Sequence, residues 1–166
     1  MKLYTIKSVE LSKEEFAPFG QVIDIPKDNP ERVTDRFNSW PKLGLMKVDK
    51  EIQIGISSFF KRPFRFAQME RHLHSMETML FLNGPFYMPF AIAQGNDPEE
   101  LPKVDNIKIF KFNSLQGAVL NKLVWHWTPF PLSENSSGMF IFETGTVEND
   151  LIIKTFKDDD VVKIDS

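Results

Sequence analysis

The chain has three histidines, and they fall in two short stretches that also hold other groups able to do chemistry. The first is Glu70-Arg71-His72-Leu73-His74-Ser75-Met76-Glu77, and the second is Val124-Trp125-His126-Trp127. His72 and His74 are two residues apart, so on a β-strand they face the same side. Glu77 follows across a short reversal and can swing back towards the imidazoles. His126 lies far enough along to sit on a later strand and close the set from the opposite wall. A His-x-His pair alone commonly does no more than satisfy hydrogen bonds; Glu77 and His126 are what point to a site. Three imidazoles and a carboxylate make a competent divalent-metal centre, so His72, His74, Glu77 and His126 are candidate ligands. Zn, Ni, Mn, Fe and Cu all accept such donors, and ligand type does not choose among them. The same groups can also move protons, with His126 or Glu77 as base and His72 as the partner acid.

Composition narrows the setting. The 166 residues suit one domain spanning 1–166, and 42% hydrophobic and 13% aromatic content, with sixteen Phe, suits a packed β core. The net charge of -3 carries no basic stripe, so no nucleic-acid partner is expected. Absence of cysteine excludes disulfides, thiolate metal sites and a cysteine nucleophile. Met1 to Leu11 has no long apolar run, so neither a signal peptide nor a membrane anchor is expected. A cytoplasmic protein is the resulting expectation.

The elements that must position these residues read as β. Ser12-Lys13-Glu14-Glu15 is a capping box that starts a short helix ending about Phe19, with Gly20 available as a left-handed cap. Val22-Ile23 reads as the first strand, and Pro26 to Pro30 as a turn-rich loop. Ile52, Ile54 and Ile56 alternate with Gln53 and Gly55. Phe64 to His74 alternates less cleanly. Met79 to Leu82, Asn83-Gly84 and Phe86 to Ala93 read as a hairpin. Ile107 to Phe112, Leu120 to Trp127, Met139 to Thr144 and Leu151 to Phe156 complete the strands, with Asp158-Asp159-Asp160 as a solvated turn. Such spacing predicts an all-β sandwich or barrel. Trp125 and Trp127 would face away from His126. An aromatic-rich sheet surface predicts a homodimer.

His72-x-His74-x-x-Glu77 followed by Gly84 resembles the first motif of the cupin superfamily, with His126 as the second-motif histidine. This implies a cupin-like antiparallel β-barrel, a double-stranded β-helix or jelly roll, with a metal site in its mouth. The chain also resembles the ureidoglycolate lyase family over nearly its whole length. Phe16-Ala17-Pro18-Phe19-Gly20-Gln21-Val22-Ile23 resembles that family's opening, Met69-Glu70-Arg71-His72 its Glu-Arg-His block, Ala91 to Asp97 its segment after the central strand, and Gln116-Gly117 with Val124-Trp125-His126 its late block. The chain departs from the pattern at His74 and Glu77, at Asn121 in place of a histidine, at Trp127, and at Glu143-Thr144.

The family resemblance implies cleavage of ureidoglycolate, a small carboxylate-bearing hemiaminal, to glyoxylate and urea, by a homodimer. Cleavage needs a base for the hydroxyl proton, an acid for the leaving nitrogen, and a cation for the carboxylate. Arg71 or Lys122 is expected to hold that carboxylate, with Asn121 as a third substrate-binding candidate. Lys122, Val124 and His126 share a face if Leu120 to Trp127 is one strand. Arg71 lies opposite His72 on a straight strand, which makes a structural or inter-subunit ion pair its competing role. Two other functions fit the same residues: a metal-dependent cupin isomerase, decarboxylase or oxygenase, and a non-catalytic binder of small ligands.

Overall fold

A computed structural model describes residues 1–26 and 28–165; Lys27, within the expected Pro26–Pro30 loop, and Ser166 lie outside them. Two curled sheets face each other. The larger runs, in spatial order, Ile152–Thr155, Gln68–Arg71, Trp125–His126, Phe86–Ala91, Lys108–Phe112, Leu3–Glu10, Val161–Asp165 and Arg65–Phe66, with Phe130–Pro131 also on Phe86–Ala91. The smaller runs Gly20–Ile23, Gly117–Leu120, Glu77–Asn83, Ser136–Glu143 and Ile52–Phe59. Between them lies an interior of phenylalanines: Phe81 of the smaller sheet stacks on Phe86 of the larger at 4.3 Å between ring centroids. Such offset and edge contacts add to the burial of the rings. The fold is the expected all-β architecture, two curled sheets closed on an apolar interior. One ladder feature differs from a purely antiparallel design, because Leu3–Glu10 pairs in parallel with both its neighbours.

The central strand of the larger sheet, Phe86–Ala91, is buried on both faces. Phe86, Met88 and Phe90 point into the barrel, while Tyr87 and Ala91 join a second core with Trp125, Ile109, Phe156 and Val162. That is why Phe86–Ala91 reads as an unbroken apolar run rather than an alternating one.

Several local expectations are corrected. The first strand is Leu3–Glu10, not Val22-Ile23. Tyr4, Ile6 and Ser8 alternate half-buried with exposed Leu3, Thr5 and Lys7, a period-two signal spread over polar residues. The Ser12 hydroxyl does accept from the Glu15 N–H at 3.1 Å, but the helix stops at Phe16. Gly20 is no left-handed cap; it opens a strand, and a side chain there would place its Cβ 2.0 Å from the Val119 carbonyl oxygen.

Asn83-Gly84 makes no hairpin either. Glu77–Asn83 and Phe86–Ala91 lie in different sheets, and the pair is the corner between them. The Asn83 side chain accepts from the Ser137 N–H and hydroxyl, and donates to the Asn135 carbonyl. Gly84, at φ 75°, backs onto Ser133 and Ser136.

Leu120 to Trp127 is not one strand. Gly117–Leu120 belongs to the smaller sheet and Trp125–His126 to the larger, with a turn through Leu123 at φ 70° between them. The expected Ile52 strand forms, but at the open edge of the smaller sheet. Its isoleucines therefore face outwards, with Ile54 66% and Ile56 70% exposed.

Candidate functional site

Strand ends set the site. The Gln68–Arg71 strand places Glu70 on its inner face and Arg71 on its outer face. Past Arg71 the chain leaves the sheet, and His72 turns inward from the first residue of the loop. Glu77 begins the next strand, and His126 ends the short Trp125–His126 strand, opposite Glu70 in the ladder. These placements bring His72, Glu77 and His126, all buried, into one cluster whose ligand atoms lie within 4.8 Å of one another. Glu77 Oε2 is 3.1 Å from His126 Nε2 and 3.6 Å from His72 Nε2, and Glu70 Oε1 is 3.7 Å from His126 Nε2.

Backbone carbonyls fix both rings. His72 Nδ1 donates to the Asp150 carbonyl and His126 Nδ1 to the Val124 carbonyl, each at 3.0 Å. A carbonyl can only accept, so Nδ1 carries a proton in each ring and Nε2 is the atom turned to Glu77. Ligating histidines are held this way by outer partners. Glu77 Oε2 and His126 Nε2 are nevertheless buried without a partner in hydrogen-bond geometry. Buried polar atoms are nearly always satisfied. Two imidazole nitrogens and a carboxylate oxygen, preoriented, with Glu77 Oε2 and His126 Nε2 left unsatisfied, fit a divalent cation.

The electrostatics are strongly coupled. Burial works against charge on Glu77, but His126 and His72 outweigh it and hold the carboxyl down to about 2. Burial alone would lower His126; Glu77, with Glu70 behind it, carries it up to about 9. Glu70 moves the other way: burial pushes it above the ordinary carboxyl value, against the pull of His126 and with the push of Glu77.

A cavity of about 180 Å³ opens beside the cluster. Glu70, Glu77 and His126 form its polar wall, Ser57 and Thr128 add hydroxyls, and Phe59, Phe140 and Phe142 close the apolar side. No lysine or arginine lines it among the described residues. An anion there would meet two carboxylates, with His126 between them as the one cationic group among the described lining residues.

The remaining candidates lie elsewhere. His74 is exposed and outside the cluster. Its sharing of a face with His72 depended on a strand through residue 74. That strand ends at Arg71, and the loop N–H groups of Leu73, His74 and Ser75 bond instead to the Asp150 carboxylate at 2.8–3.2 Å. Asn121 and Lys122 are exposed, next to or within the turn that breaks the expected strand, so Lys122 shares no face with His126. Arg71 is fully buried on the far side of its strand. It pairs with Glu100 at 3.2 Å, donates to the carbonyls of Gly95 and Asp97, and lies 4.4 Å over the Trp125 ring. These contacts are those of a structural ion pair, away from the cavity. Glu70 was missed, although it has the same strand parity as His72. Asp150 was also missed, and nothing local in the sequence marks it.

Among solved structures the likeness is distant. The sugar 3,4-ketoisomerase QdtA of Thermoanaerobacterium thermosaccharolyticum aligns with a TM-score of 0.45 and 19% identity, over 60% of this chain and 64% of that one. Among sequences, the ureidoglycolate lyase of Brucella anthropi is 26% identical over 156 residues, covering 90% of this chain and 89% of its own length. That of Azotobacter vinelandii is 25% identical over 151 residues, covering 87% and 89%. The ureidoglycolate lyase family profile matches residues 3–163, a span that includes both sheets and every member of the His72–Glu77–His126 cluster. This chain belongs to the ureidoglycolate lyase family.

Proposed function

We propose that the protein cleaves ureidoglycolate to glyoxylate and urea. The observation that carries this reading is the buried His72–Glu77–His126 cluster, with Glu77 and His126 lining a cavity of small-molecule size, in a chain of this family. In the reaction the substrate hydroxyl loses its proton as the carbonyl forms, the carbon–nitrogen bond breaks, and the departing urea nitrogen gains a proton. Atoms balance without water or an oxidant.

His72, Glu77 and His126 would hold a divalent metal, Zn, Ni, Mn or Fe. Such a cation would add positive charge beside Glu70 and Glu77, holding the substrate carboxylate and polarising the hydroxyl. Glu70 lines the cavity outside that set, 3.7 Å from His126. It is placed to take the hydroxyl proton and return it to the leaving nitrogen. Ser57 and Thr128 offer hydrogen bonds to the ureido group, and Phe59, Phe140 and Phe142 keep bulk water from the reacting carbon.

The protein is further proposed to work as a cytoplasmic homodimer. Absence of cysteine accords with a reducing compartment, and no helix among the described residues is long and apolar enough to cross a membrane. The exposed edge strand with Ile52, Ile54 and Ile56 carries no charge or proline to discourage pairing.

The test is release of glyoxylate and urea from racemic ureidoglycolate by the purified chain, with and without added Zn2+, Ni2+, Mn2+ or Fe2+. Release that disappears in His126→Ala is expected. No release under any of these metals would end the assignment.

A further inference from the structure

We propose that Asp150 is a positioning residue for His72, acting through both its carboxylate and its main-chain carbonyl. The inference rests on reading His72 as a member of the active site, but not on which substrate that site takes.

Asp150 lies 75 to 78 residues from the loop it organises. Its carboxylate accepts from the N–H groups of Leu73 at 2.9 Å, His74 at 2.9 Å and Ser75 at 2.8 Å. Its carbonyl accepts from His72 Nδ1 at 3.0 Å. One residue thus grips the backbone that follows His72 and the ring of His72 itself. With both ends held by the same group, the imidazole plane is fixed relative to its own main chain, and Nε2 faces Glu77. A carbonyl partner also selects the Nδ1–H tautomer.

Asp150 is itself anchored. Its N–H donates to the Thr146 carbonyl at 3.0 Å, and the Thr146 hydroxyl donates to the Glu143 carbonyl at 2.7 Å. Glu143 ends the Ser136–Glu143 strand, which pairs with the strand that begins at Glu77. The clamp therefore sets His72 against the sheet that carries Glu77. The link continues to the other ring. The His72 carbonyl accepts from the Leu123 N–H at 2.8 Å, one residue before the Val124 carbonyl that holds His126 Nδ1. His126 has its own carbonyl, however, and makes no bond to Asp150. This difference gives the experiment an internal control.

Imidazole proton exchange is measured by nitrogen-15 NMR on the metal-free full chain, in wild type, Asp150→Ala and Asp150→Asn. Asp150→Ala is expected to speed exchange of the His72 Nδ1 proton about tenfold or more, as the local opening equilibrium loosens. The His126 Nδ1 proton is expected to stay within about twofold of wild type. Asp150→Asn, which keeps one acceptor oxygen, should fall between them. An unchanged His72 proton would overturn the proposal, as would equal loosening of both rings, which marks general destabilisation. If the Ala variant does not fold, the Asn variant decides by the same criteria. Substrate plays no part in the readout, so a chain that fails to cleave ureidoglycolate leaves the test intact.

Discussion

Glu77 Oε2 lies 3.1 Å from His126 Nε2, and both atoms are sealed from solvent. The pair makes the metal-free fold sensitive to pH in both directions. His126 is raised above its ordinary 6.5, so its stabilising contribution is full below that pH and is lost as pH climbs through about 9. Glu77 is lowered below its ordinary 4.5, so its contribution is full above that pH and is lost as pH falls towards 2. The pair therefore contributes most between these ordinary values. Glu77→Ala should cost about 3–5 kcal/mol near neutral pH, because it leaves a buried imidazole unpaired. Thermal unfolding in EDTA from pH 3 to 10 checks this. A high-pH decline equally steep in wild type and Glu77→Ala would show that the pair is not its source.

Metal binding should raise stability by mass action. Zn2+ at about one hundred times its dissociation constant is expected to add about 2.7 kcal/mol to the unfolding free energy, visible as a higher Tm. His72→Ala and His126→Ala should lose most of this gain. A rise in Tm that persists in both variants would place the ion elsewhere.

The two histidines of the first motif should behave differently. His72→Ala removes a buried ligand and is expected to lower kcat/KM at least about a hundredfold. His74→Ala, an exposed side chain outside the cluster, should stay within about twofold of wild type. Steady-state kinetics on ureidoglycolate decide, and comparable losses in both would return His74 to the site.

Arg71 should matter for folding rather than turnover. Its guanidinium is buried with Glu100, two loop carbonyls and Trp125. Arg71→Ala leaves these uncompensated, at a cost of about 3–5 kcal/mol. Denaturant unfolding measures the loss. The folded fraction should keep its KM, and a raised KM at unchanged stability would mean that Arg71 contacts substrate after all.

The edge strand supplies the test of assembly. Ile54→Lys puts a charge in the middle of an exposed apolar strand, and is expected to convert a homodimer to a folded monomer in sedimentation. If wild type is already monomeric at tens of micromolar, the dimer proposal ends there.

Much of the site was legible because residue type and short-range periodicity are local properties. Two histidines and a carboxylate at 72, 77 and 126 have metal-ligand chemistry whatever surrounds them. The β class follows from alternation such as Ile52, Ile54 and Ile56, and the Ser12 cap from four adjacent residues. What tertiary structure alone decided was where each alternation stops. His74 would share a face with His72 only on a strand that continued, and Asp150, more than seventy residues away, takes the loop N–H groups instead. Likewise Asn83-Gly84 is competent for a hairpin, yet the chain turns there from one sheet to the other. Lys122 lost its place beside His126 to a turn of the same kind. Glu70 shows the converse, because strand parity put it with His72 but only the ladder partner His126 brought it to the cavity. Spacing along a chain fixes which face a side chain takes while the strand lasts. Which strands end, and which distant groups accept their freed N–H bonds, depends on pairings between residues far apart in sequence.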